Sequence, residues 1–447
     1  MANKTTKPAA KVSSDALGAI ERAAGVPFKK AGDYWKRLGP GLTTGASDDD
    51  PSGVIAYSQA GAKFGYQFLW LSWLTFPLMS VVQEMCARIG IATGRGLAAN
   101  IRRHFPRWAL IFVTLLLFIA NTLNIGADLG AMASASQLIW PNFPFGAFVG
   151  IFALVSLFLE IAMPYSTYAR YLKWLALVLL AYVLTAFVVP SINWGELLTA
   201  TFKPTMSFTK EHLLLLTGVL GTTISPYLFF WQTSQEVEQE VLSGQTSIKE
   251  RQRQASVAEV KDMRTDVWSG MLLSNLVMFF IIAVCAAVLN QAGITNINTA
   301  ADAASALKPL AGDKAYLLYI VGIMGTGFLA IPVLAGSAAY GFSEMMGWKT
   351  GLYRKAREAA AFYGVIAVST LVGLGLNFVG IDPIKALLGA AVANGLVAPV
   401  VLVFIVWLAS SKEVMGKWRN RKFTTIIGWG VVTLMALSAV GAIWASF

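Results

Sequence analysis

The stretch GPGLTTGASDDDPSGVIAYSQAGA, Gly39 to Ala62, decides the fold. It is long enough to cross about 30 Å of hydrocarbon. Near its middle it holds Asp48, Asp49, Asp50, Pro51, Ser52 and Gly53. A carboxylate at the centre of a membrane helix costs about 2.5–3.5 kcal/mol on insertion scales. Three consecutive residues fan over about 200° of a regular helix. Three aspartates therefore cannot all face one polar cavity. Pro51 removes a backbone donor, and Gly53 permits unusual dihedrals. The stretch predicts a helix unwound around residues 50–53, where freed carbonyls and a carboxylate line a site buried in protein. Acids lying in water at a membrane edge are the alternative. It is disfavoured because small or apolar residues continue on both sides.

The rest of the chain supports a membrane setting. Of 447 residues, 56% are hydrophobic and 13% charged, the latter about half the usual share for a soluble domain. Mean hydropathy is +0.60. No water-soluble fold has enough interior for that much apolar side chain, and disorder, collagen and coiled coil are excluded with it. Eleven stretches have spanning length and apolarity. They cover approximately residues 39–61, 68–92, 108–139, 145–163, 171–192, 213–234, 267–289, 316–340, 358–379, 384–408 and 423–445. With the N-terminus inside, six cytoplasmic segments hold about 29 of the 35 lysines and arginines. This predicts a multi-pass protein of the cell inner (plasma) membrane, with the N-terminus cytoplasmic and the C-terminus outside. The net charge of +11 is then a topology signal, and a nucleic-acid partner is excluded. Residues 1–37 read as a basic cytoplasmic tail with a short amphipathic helix at about residues 15–24. Residues 235–262 read as a solvated helical connector. Cys86 and Cys285 read as packed hydrophobes. His104 and His212 are too far apart to build a histidine metal site.

A second span is interrupted as well. LLLLTGVLGTTISPYLFFWQ, Leu213 to Gln232, has Pro226 near its centre, preceded by Gly221, Thr222, Thr223 and Ser225. Five spans separate the two breaks, an odd number, so the units beginning at each run in opposite directions. The prediction is an all-α polytopic membrane protein: a five-plus-five inverted repeat, residues 38–192 and about 212–410, with an eleventh helix at about 423–445. Paired interrupted helices at corresponding positions point to a transporter's central site. Pro51 and Pro226 are its candidate hinges. Other polar groups within spans are Gln83, Glu84, Asn121, Asn124, Asp128, Asn275, Asn377 and Asn394. Most suit interhelical hydrogen bonds; Asp128 and Glu84, being ionisable, are stronger functional candidates. Gly322, Gly325, Gly327, Gly336 and Gly341 suggest close helix packing, and Trp140, Trp194 and Trp348 suggest interfacial anchors.

These residues resemble a known family. GPGLTTGASDDDPSG is similar to the first span of the Nramp divalent-metal transporters, whose motif there is D-P-G-N. VVQEMCARIGIATGRGLA, Val81 to Ala98, resembles their second span, and GTTISPYLFFW, Gly221 to Trp231, falls where the family has M-P-H. The resemblance implies a leucine-transporter-like fold and a metal site at Asp50, with backbone carbonyls of Ser47 and Thr222 as contacts. Against the family pattern, Asn becomes Gly53, the ligand Met becomes Ser225, and the two histidines become Tyr227 and Gln232. The acid after Asp128 becomes Ala131, and a tenth-span glutamine aligns with Ala391. Loss of thioether sulfur leaves an oxygen-lined site, which favours hard ions. Loss of bulk suits an ion that keeps several waters, as Mg²⁺ does. The pattern looks like the divergent Nramp-related magnesium transporters.

The expectation is thus import of partly hydrated Mg²⁺ by alternating access, with weak or no proton coupling and no resident cofactor. The metal set is Asp50, Ser47, Gly53, Thr222 and Ser225. Asp48, Asp49, Gln83, Glu84, Asp128, Tyr227, Gln232 and Asn394 form the surrounding pathway. A proton-coupled Mn²⁺ or Fe²⁺ importer is the rival within the family. A sodium-coupled solute carrier and an intramembrane aspartyl enzyme fit less well, the latter because only Asp128 can partner the first-span acids. Oligomeric state stays open, and a monomer suffices.

Overall fold

The computed structural model describes residues 39–163 and 177–447. The expected basic tail, its short helix, and Arg170 and Lys173 lie outside the described residues. Among those described there is helix and no strand. Each expected span coincides with a helix or a broken helix. The first is Pro40–Asp48 followed by Pro51–Phe64, and the sixth is Lys210–Thr223 followed by Pro226–Leu242. The unbroken ones are Leu69–Thr93, Arg107–Gln137, Phe145–Ala162, Val257–Cys285, Ala315–Met346, Ala360–Leu376, Pro383–Ser410 and Lys422–Ser446. Of the fifth, the described α-helix is Leu180–Val188.

Seven of the described helical stretches are long and apolar enough to cross a membrane by themselves. The sixth span is the most enclosed of these, with 89% of its apolar stretch buried against 33% for the fourth, so the broken helix is central and the fourth span peripheral. Trp108, Phe158 and Leu437 are exposed. In lipid an apolar outer surface carries no penalty, and helix association relies on small residues and packing. A Cβ at Gly45 would strike the Gly270 backbone, and one at Gly221 would strike the Ala391 carbonyl and the Gly395 amide. The first span thereby lies backbone to backbone on the seventh, and the sixth on the tenth. Close packing is seen at three of the eighth-span glycines: an added Cβ would lie 2.5 Å from Met132 Sδ at Gly327, 2.8 Å from the Trp231 ring at Gly336 and 3.1 Å from Leu117 at Gly341, whereas at Gly322 it would make an ordinary 3.4 Å contact with Leu179. Cys86 and Cys285 are free and buried.

The connector after the sixth span differs from expectation. The helix runs on to Leu242, and Glu236, Glu238 and Glu240 are buried, not solvated. Each has a partner: Gln232 Nε2 donates to Glu236 at 2.8 Å, Tyr340 donates to Glu238, and Arg251 lies 3.8 Å from Glu240. Gln232 is one turn earlier on the same helix and Arg251 is in the connector itself, but Tyr340 comes from the eighth span, a contact that local polarity does not show. A short helix, Ile248–Gln254, opens on a capping box at Ser247 and Glu250. The seventh span then starts at Val257 on a second box at Ser256 and Glu259.

Candidate functional site

The first break falls at Asp49 and Asp50, one to two residues before the position the sequence suggests, and the helix resumes at Pro51. Pro51 occupies the first helical position, where its missing N–H is no loss. Asp50 then serves as N-cap. Its Oδ1 accepts from the Gly53 amide at 2.7 Å, from Ser52 Oγ at 2.7 Å and from Thr222 Oγ1 at 3.5 Å. Its Oδ2 accepts from Asn124 Nδ2 of the third span at 2.8 Å. Gly53 fits because a Cβ there would lie 3.1 Å from Thr222 Oγ1 and 3.3 Å from the Asp48 carbonyl.

The second break has the same outline. Ser225 precedes Pro226, which again takes the first turn of its half-helix. Ser225 caps backwards: its hydroxyl donates to the Gly221 carbonyl at 2.7 Å and the Thr222 carbonyl at 2.6 Å. The two breaks meet. Ser52 Oγ is 3.4 Å from Thr222 Oγ1, Tyr57 OH is 3.1 Å from Thr223 Oγ1, and Tyr227 OH donates to the Ser47 carbonyl at 3.0 Å. The Ser47 and Thr222 carbonyls therefore each already accept one hydrogen bond, and a carbonyl keeps a second lone pair.

Four carboxylates converge near this junction, each at most 3% exposed: Asp48, Asp49, Asp50 and Asp128. Ser274 of the seventh span donates to Asp48 Oδ2 at 2.5 Å and to Asp49 Oδ1 at 3.3 Å. Asp48 Oδ1, both Asp128 carboxylate oxygens and Asn124 Oδ1 have no hydrogen-bond partner. Asn124 and Asp128 stand one turn apart on the third span, on the same face. Buried carboxylate oxygens left open are costly unless a cation or proton meets them. Among the described residues no three His, Cys, Asp or Glu side chains form a ready ligand group. A cation here would complete its shell with carbonyls, hydroxyls and water.

The remaining candidates separate from this cluster. Gln232 accepts from Thr44 Oγ1 at 2.5 Å and donates to Glu236, tying the two broken spans together beyond the junction. Glu84 is held by Arg264 at 2.9 and 2.7 Å, by Trp268 Nε1 at 3.0 Å and by Arg88 at 3.5 Å. It links the second and seventh spans. Gln83 and Asn394 are fully buried, and their side-chain amides lack partners. Sequence reasoning missed Ser274, since one serine in an apolar span carries no pattern. It also missed Asp266, whose carboxylate accepts from the Gly41 and Leu42 amides at 2.6 and 3.0 Å and caps the first half-helix.

Two broken helices meeting at buried carboxylates define a membrane protein of the leucine-transporter-like class. The chain covers 92% of itself and 93% of Mhp1, a nucleobase-cation-symport-1 family transporter, at a TM-score of 0.57 and 14% identity. The Eremococcus coleocola manganese transporter superposes with a TM-score of 0.72 at 18% identity, over 92% of this chain and 88% of that one. The Natural resistance-associated macrophage protein-like (Nramp) family profile matches residues 41–445, and the chain belongs to that family. Relatives include the divalent metal cation transporter MntH of Klebsiella pneumoniae (strain 342), 27% identical over 89% of this chain and 91% of that protein. The MntH of Verminephrobacter eiseniae is 25% identical over 87% and 84%.

Proposed function

We propose that the protein imports divalent metal ions by alternating access, with partly hydrated Mg²⁺ as its cargo. The observation that carries this is the set of open, buried oxygens, Asp48 Oδ1, Asp128 Oδ1 and Oδ2 and Asn124 Oδ1, beside the Asp50 cap. All are hard donors, and Ser225 offers oxygen where a thioether would offer sulfur. Asp50, Asp128 and the second lone pairs of the Ser47 and Thr222 carbonyls hold the ion, directly or through water. Asp48 and Asp49 supply field, and Pro51 and Pro226 are the hinges between half-helices of the two repeats. The membrane orientation is N-terminus inside, so a negative-inside potential favours entry by about 2.3 kcal/mol per charge per 100 mV. Proton coupling is weak. Gln232 does not titrate, and a tyrosine such as Tyr227, unlike the histidine of the family pattern, does not change charge near neutral pH.

The rival, a proton-coupled manganese importer, is favoured by the names of the relatives. Uptake of Mg²⁺, Mn²⁺ and Ca²⁺ into proteoliposomes, with and without a pH gradient, separates the two. The proposal expects Mg²⁺ uptake that follows membrane potential and is indifferent to the pH gradient. Mn²⁺ uptake that excludes Mg²⁺, or strict dependence on the gradient, would overturn it.

A further inference from the structure

A cavity of about 780 Å³ lies away from the ion site. Its walls are the connection between the second and third spans, the second half of the sixth span, the short helix Ile248–Gln254 that follows it, the end of the eighth span and the loop after it. No residue of the first broken helix lines it. Six cationic side chains do, Arg95, Arg102, Arg103, Arg251, Lys349 and Arg354, against two carboxylates, Glu238 and Glu344. Both carboxylates are committed elsewhere. Glu238 accepts from Tyr340 and from the Leu352 amide at 2.5 Å, and Glu344 accepts from the Ala99 amide at 2.9 Å. Among the described residues, Arg251 alone of the six pairs with a carboxylate, Glu240 at 3.8 Å.

A scattered topology signal would leave these charges apart in water. Here they face one concavity, and they press on each other. Burial, then the neighbouring guanidiniums of Arg103 and Arg251, pull Arg95 below its ordinary value. Burial and Arg103 likewise pull His104 down. A cavity with this field repels the cargo cation, so it is not a stretch of the ion path. Its size lies within the range of small-molecule sites, about 300–1,000 Å³. Arginine forks match phosphate oxygens in pairs. Exposed Trp348 and Tyr353 supply flat apolar surface on the wall, and Arg354 already lies over the Tyr353 ring at 4.9 Å.

We infer that this cavity is a binding site for a polyphosphate anion of nucleotide size, on the face that the charge bias assigns to the cytoplasm. The bound anion bridges Arg95 and Arg103 to Lys349 and Arg354, and so ties the connection between the second and third spans to the loop after the eighth. The inference rests on the proposed orientation but not on the identity of the cargo.

The test is calorimetric titration of the full-length purified protein in EDTA, so that no metal takes part. Tripolyphosphate and ATP are the probes, with sulfate as the charge control. Saturable binding of either polyphosphate, and not of sulfate, is expected. Arg95→Gln/Arg103→Gln should weaken it by about tenfold or more. Arg103→Gln/Lys349→Gln, which alters only exposed side chains, should weaken it while leaving elution and melting unchanged. Lys417→Gln/Arg419→Gln, exposed on the same face, should bind as wild type. A parallel arm compares cardiolipin and phosphatidylcholine nanodiscs. Stabilisation by cardiolipin that needs Arg95 and Arg103, without soluble binding, would support the phosphate site and assign it to a lipid headgroup. Absence of both effects, or equal loss in the Lys417/Arg419 pair, would overturn the inference.

Discussion

The first and sixth spans break alike and differ in the residue before the proline. In the first, Asp50 turns its carboxylate forward to the Gly53 amide and the Ser52 hydroxyl of the half-helix that follows. In the sixth, Ser225 turns its hydroxyl back to the carbonyls of the half-helix it leaves. One break thus presents negative charge and the other presents carbonyl dipoles and hydroxyls. A cation placed between them meets oxygen from both sides, although only one side carries formal charge. Shape is repeated between the two halves of the molecule and electrostatics are not.

Substitution at the two pre-proline positions breaks this comparison most severely. Asp50→Ala should reduce Mg²⁺ uptake in proteoliposomes to that of empty liposomes. It removes the anchoring charge and an N-cap worth about 0.5–2 kcal/mol. Ser225→Ala removes one neutral hydrogen-bonding group, worth about 1 kcal/mol net, and should slow uptake by no more than about fivefold. Equal loss in the two variants would show that shape and not charge makes the site. Next in size are the backbone contacts that seat each broken helix. Gly45→Ala and Gly221→Ala each drive a methyl into a neighbouring backbone, at a cost of about 1–3 kcal/mol. Both should lower the melting temperature of the purified protein, while Gly150→Ala, with nothing within 4 Å of its added Cβ, should not. The smallest effect belongs to Lys63 and Glu211. They join the second half of the first span to the first half of the sixth at 2.8 Å, with Glu211 largely exposed. Lys63→Ala should change stability by about 0–1 kcal/mol, and less in high salt. A larger loss would mean that the two halves lean on each other through that ion pair.

Much of the fold was legible because membrane insertion imposes simple rules. Length and apolarity placed all the spans, with the fifth described over Leu180–Val188. Proline and the aspartate run located the first break to within two residues. The site was legible in its charged half only. Asp50 and Asp128 stand out as carboxylates in apolar segments, but nothing local says that Asn124 would donate to Asp50 or Ser274 to Asp48. Glu84 stands out as an ionisable group in a span, but nothing local says that Arg264, 180 residues further on, pairs with it. Glu236, Glu238 and Glu240 read as a solvated connector because nothing local shows that the sixth-span helix runs on to Leu242 and packs them inside, with Tyr340, 102 residues away, donating to Glu238.

The sequence by itself determined the membrane class, the two interruptions, the odd number of spans between them and the acids that one of them carries. These follow from composition, from the cost of charge in hydrocarbon and from the backbone chemistry of proline, all of which act within a few residues. The tertiary structure alone decided which way each pre-proline side chain turns, which oxygens are left open, and that six cations line one cavity to which the first broken helix contributes no residue. Those outcomes depend on contacts between residues up to 245 positions apart, and hydrogen bonding and close packing of that reach leave no periodic trace in a chain.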